Sequence, residues 1–232
     1  MNNKTLMKTL AFYTCFFGGE SNYANIIPII PSTMDDCYYF TNNPNTYGRL
    51  EHSGWKRIWV DIPIENDNVL DAMNTKRLRC CPHKFDALRD YQYLCWVDSK
   101  LEITSTEKVY DMMNSLVGTK IIALTRHPIP HTDVWGEYNL AIQYPKYASQ
   151  KDRYAAYISK RIAEGFDAKK PLRHCSGFSV RKQCKQMEDI GDVWYSHILE
   201  CGIECQISWQ FVAQLYEDSI QDFEFQYCWR YL

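Results

Sequence analysis

Short apolar runs that stop abruptly at turn residues, alternating with stretches of helical spacing, constrain this chain more than any other feature. Leu6 to Phe17 reads as a strand ending at Gly18-Gly19. "CYYFT", Cys37 to Thr41, is closed by Asn42, Asn43 and Pro44, and "KRIWVDI", Lys56 to Ile62, by Pro63. Val69, Leu70, Met73 and Leu78 then follow a helical period from Asp67 to Arg79, and Pro82 opens a further helical turn. Tyr93 to Val97 is the next strand, a helix over 105–116 is followed by "KIIAL" (120–124), and helical stretches are predicted over 133–143 and 149–164. "HCSGFSV" (174–180) reads as a strand interrupted by Gly177, and helices over 183–200 and 206–217 finish the chain. Strand and helix in alternation predict an α/β fold, with a mixed, mainly parallel sheet and helices on its faces. No internal repeat or Pro/Gly/Ser-rich linker divides it, so a single domain is expected.

Composition narrows the function rather than the fold. With 232 residues, 46% hydrophobic and 23% charged, the chain can bury a core. Its net charge of −2 gives no general attraction to nucleic acid or an anionic membrane, so an anionic ligand must be held by local groups. No apolar segment approaches the ~20 residues of a membrane span. The amino-terminal apolar run is broken by Tyr13, Thr14 and Cys15 and reads as a first strand rather than a signal peptide. A cytoplasmic location with reduced thiols is therefore expected for the ten cysteines. Their spacings contain no pair of CxxC knuckles, which argues against structural zinc.

Ligands of open α/β sheets sit beyond the carboxyl ends of the strands. Asp98 in "LCWVDSKLEI" stands at such an end, as do Gly18-Gly19 and Arg126-His127. A carboxylate there is either a turn residue or a group that holds a divalent cation against a diphosphate. The P-loop, the G-x-G-x-x-G fingerprint and the G-x-S-x-G elbow are all missing from the sequence.

Several segments in order resemble a group of GT-A-type glycosyltransferase-like proteins related to plant mucilage hexosyltransferases, with bacterial and viral relatives. "YTCFFGG" is similar to the group's opening Y-T-x-x-F-G-G, "YYFTNN" to its second strand, "RCCPH" to K-x-x-P-H and "WVDSK" to W-[IV]-D-[GS]-[KN]. Arg126-His127, the stretch Val134 to Tyr138, Gly177 to Arg181 and "ECQISW" follow in the same order, so the resemblance spans about residues 10 to 215.

The resemblance implies a GT-A-like, Rossmann-like domain. Its donor half would cover about 1–100 and its acceptor half about 101–232. The implied activity is transfer of a hexose or deoxyhexose from a nucleoside diphosphate sugar, UDP favoured, to a glycan or glycoconjugate acceptor, with inversion. Thr14, Cys15, Phe16 and Gly18 would receive the nucleoside, and Lys76, Arg79, His83, Asp98, Lys100 and Arg126 the rest of the donor. A divalent cation, Mn²⁺ or Mg²⁺, would sit on Asp98 with His174 or His127, although Lys100 occupies the position of a second carboxylate and a protonated lysine cannot ligate a metal. The general base would be Glu204, since Cys205 stands where the group carries Asp, or else Glu137 or Asp133. Trp135, Tyr138 and Trp209 are the aromatics expected near an acceptor sugar. A catalytically silent nucleotide-sugar-binding module and a nucleotidyltransferase are the alternatives; "GGESNY" lacks the Gly-rich loop with a basic residue that the latter normally carries.

Overall fold

The computed structural model describes residues 8–19, 26–65, 67–127, 133–223 and 229–231. Most of "GGESNY" and the proline-rich stretch after His127 lie outside the described residues. In chain order the elements are β1 (Lys8–Phe16), β2 (Asp36–Thr41), α1 (Pro44–Arg49), β3 (Lys56–Trp59), α2 (Asn68–Cys80), β4 (Tyr91–Val97), β5 (Leu101–Ile103) and α3 (Thr106–Asn114). They continue with β6 (Ile122–Arg126), α4 (Val134–Ala141), α5 (Pro145–Ala148), α6 (Lys151–Ala163), β7 (His174–Lys182), α7 (Lys185–Cys201), α8 (Cys205–Leu215), β8 (Ile220–Phe223) and β9 (Trp229–Tyr231).

Among the described residues, seven strands form one sheet in the order β3-β2-β1-β4-β7-β6-β8. Six run parallel, and β7 alone is antiparallel to both its neighbours. β5 and β9 pair as a separate antiparallel ribbon. Both faces of the sheet are covered, which explains why β1 is apolar without a break. Leu10, Phe12 and Phe16 pack with Val109 and Met112 of α3, whereas Ala11, Tyr13 and Cys15 pack with Leu78 of α2. α7 and α8 cover β6 through Ile190, Trp194 and Trp209, and α4 and α6 form an outer layer on α8.

The predicted elements are present, with shifted ends. The expected pair of helices over 133–143 and 149–164 is three, because Pro145 starts α5 at a position where its missing N–H costs nothing. β8 was hidden by its length: four residues with polar Gln221 and Asp222 carry too little period-2 signal for an edge strand. All nine cysteines among the described residues are free thiols, eight of them buried. No helix among the described residues is long and apolar enough to cross a membrane.

Candidate active site

α2 supplies one wall. Its start is fixed by Asp67, whose Oδ1 accepts from the N–H groups of Val69 and Leu70 at 2.7 and 3.1 Å. From there Asp71, Ala72, Thr75, Lys76 and Arg79 recur at spacings that place them on one face, and that face lines a cavity. The far end is held by two donors to its last carbonyls: Tyr13 Oη to Arg79 O at 3.3 Å and Arg181 Nη1 to Cys80 O at 3.2 Å. α7 lies directly against it, since a Cβ at Gly191 would come within 2.1 Å of Cys80 O.

The floor comes from β4 and β7. Between Leu124 and Thr125 the pairing of β6 jumps from Ser179 to Cys175, so Ser176, Gly177 and Phe178 bulge out of the β6 ladder. The interruption expected at Gly177 is this bulge. β4 follows it: Asp98 N–H donates to Gly177 O at 2.9 Å, and a Cβ on Gly177 would lie 3.7 Å from Asp98 Cβ. Asp98 retains 26% exposure, with its Oδ1 accepting Lys100 N–H at 3.3 Å and its Oδ2 lying 3.8 Å from Lys100 Nζ. Burial acts to raise its carboxyl, but Lys100, Lys76, that backbone hydrogen bond and Arg79 outweigh it and hold it below the usual carboxylate value.

The opposite wall is the start of α8. Gly202, at φ +116° with no room for a Cβ beside Gln150 and Tyr154, turns the chain from α7 into Glu204. Glu204 Oε1 caps α8 by accepting from Gln206 N–H at 3.0 Å, and Gln206 ties α8 to β7 by accepting from Ser176 N–H and donating to His174 O, both at 2.8 Å. Glu137 faces Glu204 from α4. Its Oε2 is buried with no hydrogen-bond partner and lies 3.8 Å from His127 Nε2. Burial, then the neighbouring Glu204 and Cys205, push its carboxyl up to about 8. Cys205 moves the other way: burial raises the thiol, but the Arg79 and Lys76 cations bring it below its ordinary value.

These walls enclose two lobes of about 170 and 430 Å³. The smaller runs past Cys15, Phe16, Phe17 and Trp96; the larger holds Arg79, His127, Glu137, Ser176, Glu204 and Cys205. They meet at Lys76, Asp98, Lys100, Lys146 and Tyr147, which line both. Lys146, Tyr144 and Tyr147 were not foreseen. They belong to "YPKY" around α5, a four-residue helix with no periodicity to read, though Pro145 marks its start.

Several expected residues stand elsewhere. His174 is turned away from Asp98: its Nε2 is 2.6 Å from Asp222 Oδ1, its Nδ1 accepts from Trp209 Nε1 at 3.3 Å, and it lines a different cavity of about 240 Å³. Arg126, exposed at the end of β6, lies near Asp222 and lines neither lobe. His83 packs at the α2–α7 junction, 3.5 Å from Asp192. Thr14 is wholly buried in the sheet, and Gly18 (φ +114°) has its N–H and C=O taken by the Asn42 and Asn43 side chains. Asp133 caps α4 through Gly136 N–H at 2.8 Å. Trp209 is core, its ring 4.4 Å from that of Trp194, and Trp135 with Tyr138 packs against the outer helical layer.

This rearrangement bears on the expected cation. Among the described residues no three His, Cys, Asp or Glu side chains converge to hold a metal. One carboxylate with diphosphate oxygens and water is a usual donor set for Mn²⁺ or Mg²⁺; what does not fit such an ion at Asp98 is the Lys100 ammonium 3.8 Å from its Oδ2.

No family model matches the chain, and no curated protein matches it at a significant level. Solved structures do match in fold. Mouse xyloside xylosyltransferase 1, in its apo form, aligns over 93% of this chain and 85% of its own, with a TM-score of 0.53 and 8% identity. Core-mannan synthase A from Aspergillus fumigatus, in a Mn/GDP form, aligns over 97% of this chain and 75% of its own, with a TM-score of 0.51 and 10% identity. The chain thus has a single-domain GT-A-like α/β fold, with a mixed, mostly parallel sheet flanked by helices.

Proposed function

We propose that the chain is a glycosyltransferase that moves a hexose or deoxyhexose from a nucleoside diphosphate sugar, UDP favoured, to a glycan or glycoconjugate acceptor with inversion. The observation that carries this reading is the meeting of two lobes at one carboxylate and a cluster of cations, with the Glu204 carboxylate on the opposite wall. The smaller lobe, about 170 Å³ beyond the ends of β1 and β4, lies where open α/β sheets bind their ligands. Its lining comes mainly from residues before 101, in keeping with a donor half over about 1–100 and an acceptor half over about 101–232. The order of motifs from "YTCFFGG" to "ECQISW" supports kinship with the group related to plant mucilage hexosyltransferases. The GT-A-like fold, found also in a mannan synthase whose solved form contains GDP, supports the donor class.

In this reading Glu204 takes the proton of the acceptor hydroxyl, whose oxygen attacks the anomeric carbon. The bond from that carbon to the diphosphate breaks, and its electron pair leaves on the diphosphate oxygen. Lys76, Arg79 and Lys100 face that charge. Each unit pair at 4 Å is worth about 4 kcal/mol at an effective dielectric of 20, so a few such contacts supply a sizeable part of the leaving-group stabilisation. Glu137, whose carboxyl is pushed upward by burial and by the neighbouring Glu204 and Cys205, and Asp133, which caps α4, are the other acids that the resemblance offers as base.

The test is Glu204→Gln, which keeps an oxygen to cap α8 but removes the base. Against a panel of UDP- and GDP-sugars, donor affinity should stay unchanged while transfer falls about a hundredfold to ten-thousandfold. Cys205, standing where the group carries a carboxylate, favours a second reading as a nucleotide-sugar-binding module. Tight binding without transfer or donor hydrolysis by the unaltered chain would select that module, and no binding of any nucleotide sugar would sink both.

A further inference from the structure

We propose that this site holds the diphosphate of its donor without a divalent cation, on the side chains of Lys76, Arg79, Lys100 and Lys146. The proposal rests on the reading of the cavity as a nucleoside diphosphate sugar site. Asp98 Oδ1 already accepts the Lys100 N–H, and Lys100 Nζ stands 3.8 Å from Oδ2, a positive charge beside the one carboxylate that could hold a cation. A dication placed on Asp98 would meet that ammonium at short range. The other acids of the two lobes do not complete a set. Asp71 lies in the first turn of α2 with its Oδ1 3.5 Å from Glu65 N, while Glu137 and Glu204 neighbour each other across the larger lobe.

The cations, in contrast, converge. Lys76 and Arg79 come from one face of α2, Lys100 from the turn after β4 and Lys146 from α5, and the three lysines line both lobes at their junction. Lys146 is mostly buried; that burial, and then Lys76 and Lys100, push its ammonium below its ordinary value, as expected where like charges crowd around a place meant for an anion. Arg79 is 2% exposed, donates from Nη1 to Ser176 Oγ at 3.4 Å, and has its guanidinium 4.4 Å from the Trp194 ring centroid and beside the Cys205 thiol, so it enters the larger lobe only as a fixed charge in its wall. A buried cation in the wall of a cavity favours an anion there through its charge, without direct contact. A diphosphate would relieve the repulsion among the lysines and offset the buried Arg79 charge behind them. As the bond to the anomeric carbon breaks, the electron pair that moves to the diphosphate is matched by these fixed charges. Asp98 then serves to position Lys100 and to accept a hydrogen bond from a donor hydroxyl.

Calorimetric titration of the full chain with UDP and with GDP tests this, once in excess EDTA and once with saturating Mn²⁺. For whichever nucleotide binds, the affinities in the two buffers should agree within about threefold, and Lys146→Gln should weaken binding about tenfold in both, with Lys146→Arg restoring most of it. Near-ultraviolet circular dichroism identifies any variant that has not folded, and the arms with unaltered chain do not depend on the variants. An affinity raised about tenfold or more by Mn²⁺ would overturn the metal-free site while leaving the transferase reading intact. Binding by Lys146→Gln equal to that of the unaltered chain would overturn the role of Lys146. No binding of UDP or GDP in either buffer would overturn the functional reading and this proposal together.

Discussion

Glu137 concentrates the site's electrostatics in one group: a carboxyl whose Oε2 is buried with no hydrogen bond, 3.8 Å from His127 Nε2 and beside Glu204 and Cys205. Its folded value of about 8 lies above the ordinary 4.5, so the folded chain keeps a proton that the unfolded chain releases. The stability it contributes is complete below about pH 4.5 and is lost as the pH climbs through the folded value near 8. Glu137→Gln should therefore flatten the decline in unfolding free energy between pH 5 and 8, by on the order of 1.4 kcal/mol for each pKa unit realised. Denaturant titrations of both chains across that range check it, and parallel curves would show that the carboxyl is ionised in the fold. At this scale Asp98 and His127 were legible from their strand ends and Lys76 and Arg79 from one helix face, whereas Lys100, Glu137 and Glu204 were named only through the resemblance; the structure places all seven around the larger lobe. His174 was not, because which way a ring turns depends on Asp222 and Trp209, partners 48 and 35 residues away.

At the scale of elements, the position of α2 decides where Lys76 and Arg79 stand, and α7 decides the position of α2. Gly191 is the contact between them, with space for a hydrogen and none for a methyl against Cys80 O. Gly191→Ala should push the helices apart, destabilising the fold by about 1–3 kcal/mol and weakening nucleotide binding as well. Chemical denaturation and UDP or GDP titration of this variant measure the two effects; an alanine tolerated without loss of stability would show that the backbone adjusts cheaply. The helix itself was readable from its period and its Asp67 cap. Its partner was not, because a glycine inside a helix looks only unfavourable until the opposing carbonyl is known. The short α5 was missed for a related reason. Four residues hold no face, and Lys146 reaches the lobes only because Pro145 starts a turn there.

Across the whole molecule the two edges of the sheet divide the work. The site gathers at the carboxyl ends of β1, β4 and β6, joined by the antiparallel start of β7. At the amino ends, Asp36 of β2 accepts from Lys8 of β1 at 2.7 Å, from Lys56 of β3 and from Tyr91 of β4, a hub that ties four strands together. Burial raises the Asp36 carboxyl, but these three donors outweigh it and leave it far below its ordinary 3.8. Because the folded value is the lower one, the stability is present above about pH 3.8 and lost as the pH falls below it. Asp36→Asn should destabilise the fold at pH 7 by about 1–3 kcal/mol and leave the affinity for UDP or GDP unchanged, since the substitution lies at the other edge. Thermal melts and nucleotide titrations read both, and a variant as stable as the parent would show the hub to be a solvated surface cluster. What the sequence alone determined is the alternation of strands and helices, and with it the edge of the sheet where chemistry gathers, since strand ends and helix periods are local properties of the chain. Only the tertiary structure decided which of those candidates face one another: that Lys146 joins the cations, that His174 leaves them, and that Asp98 stands without a second ligand. Those outcomes depend on contacts between residues far apart in sequence, and no local pattern encodes which way a side chain turns once the elements have packed.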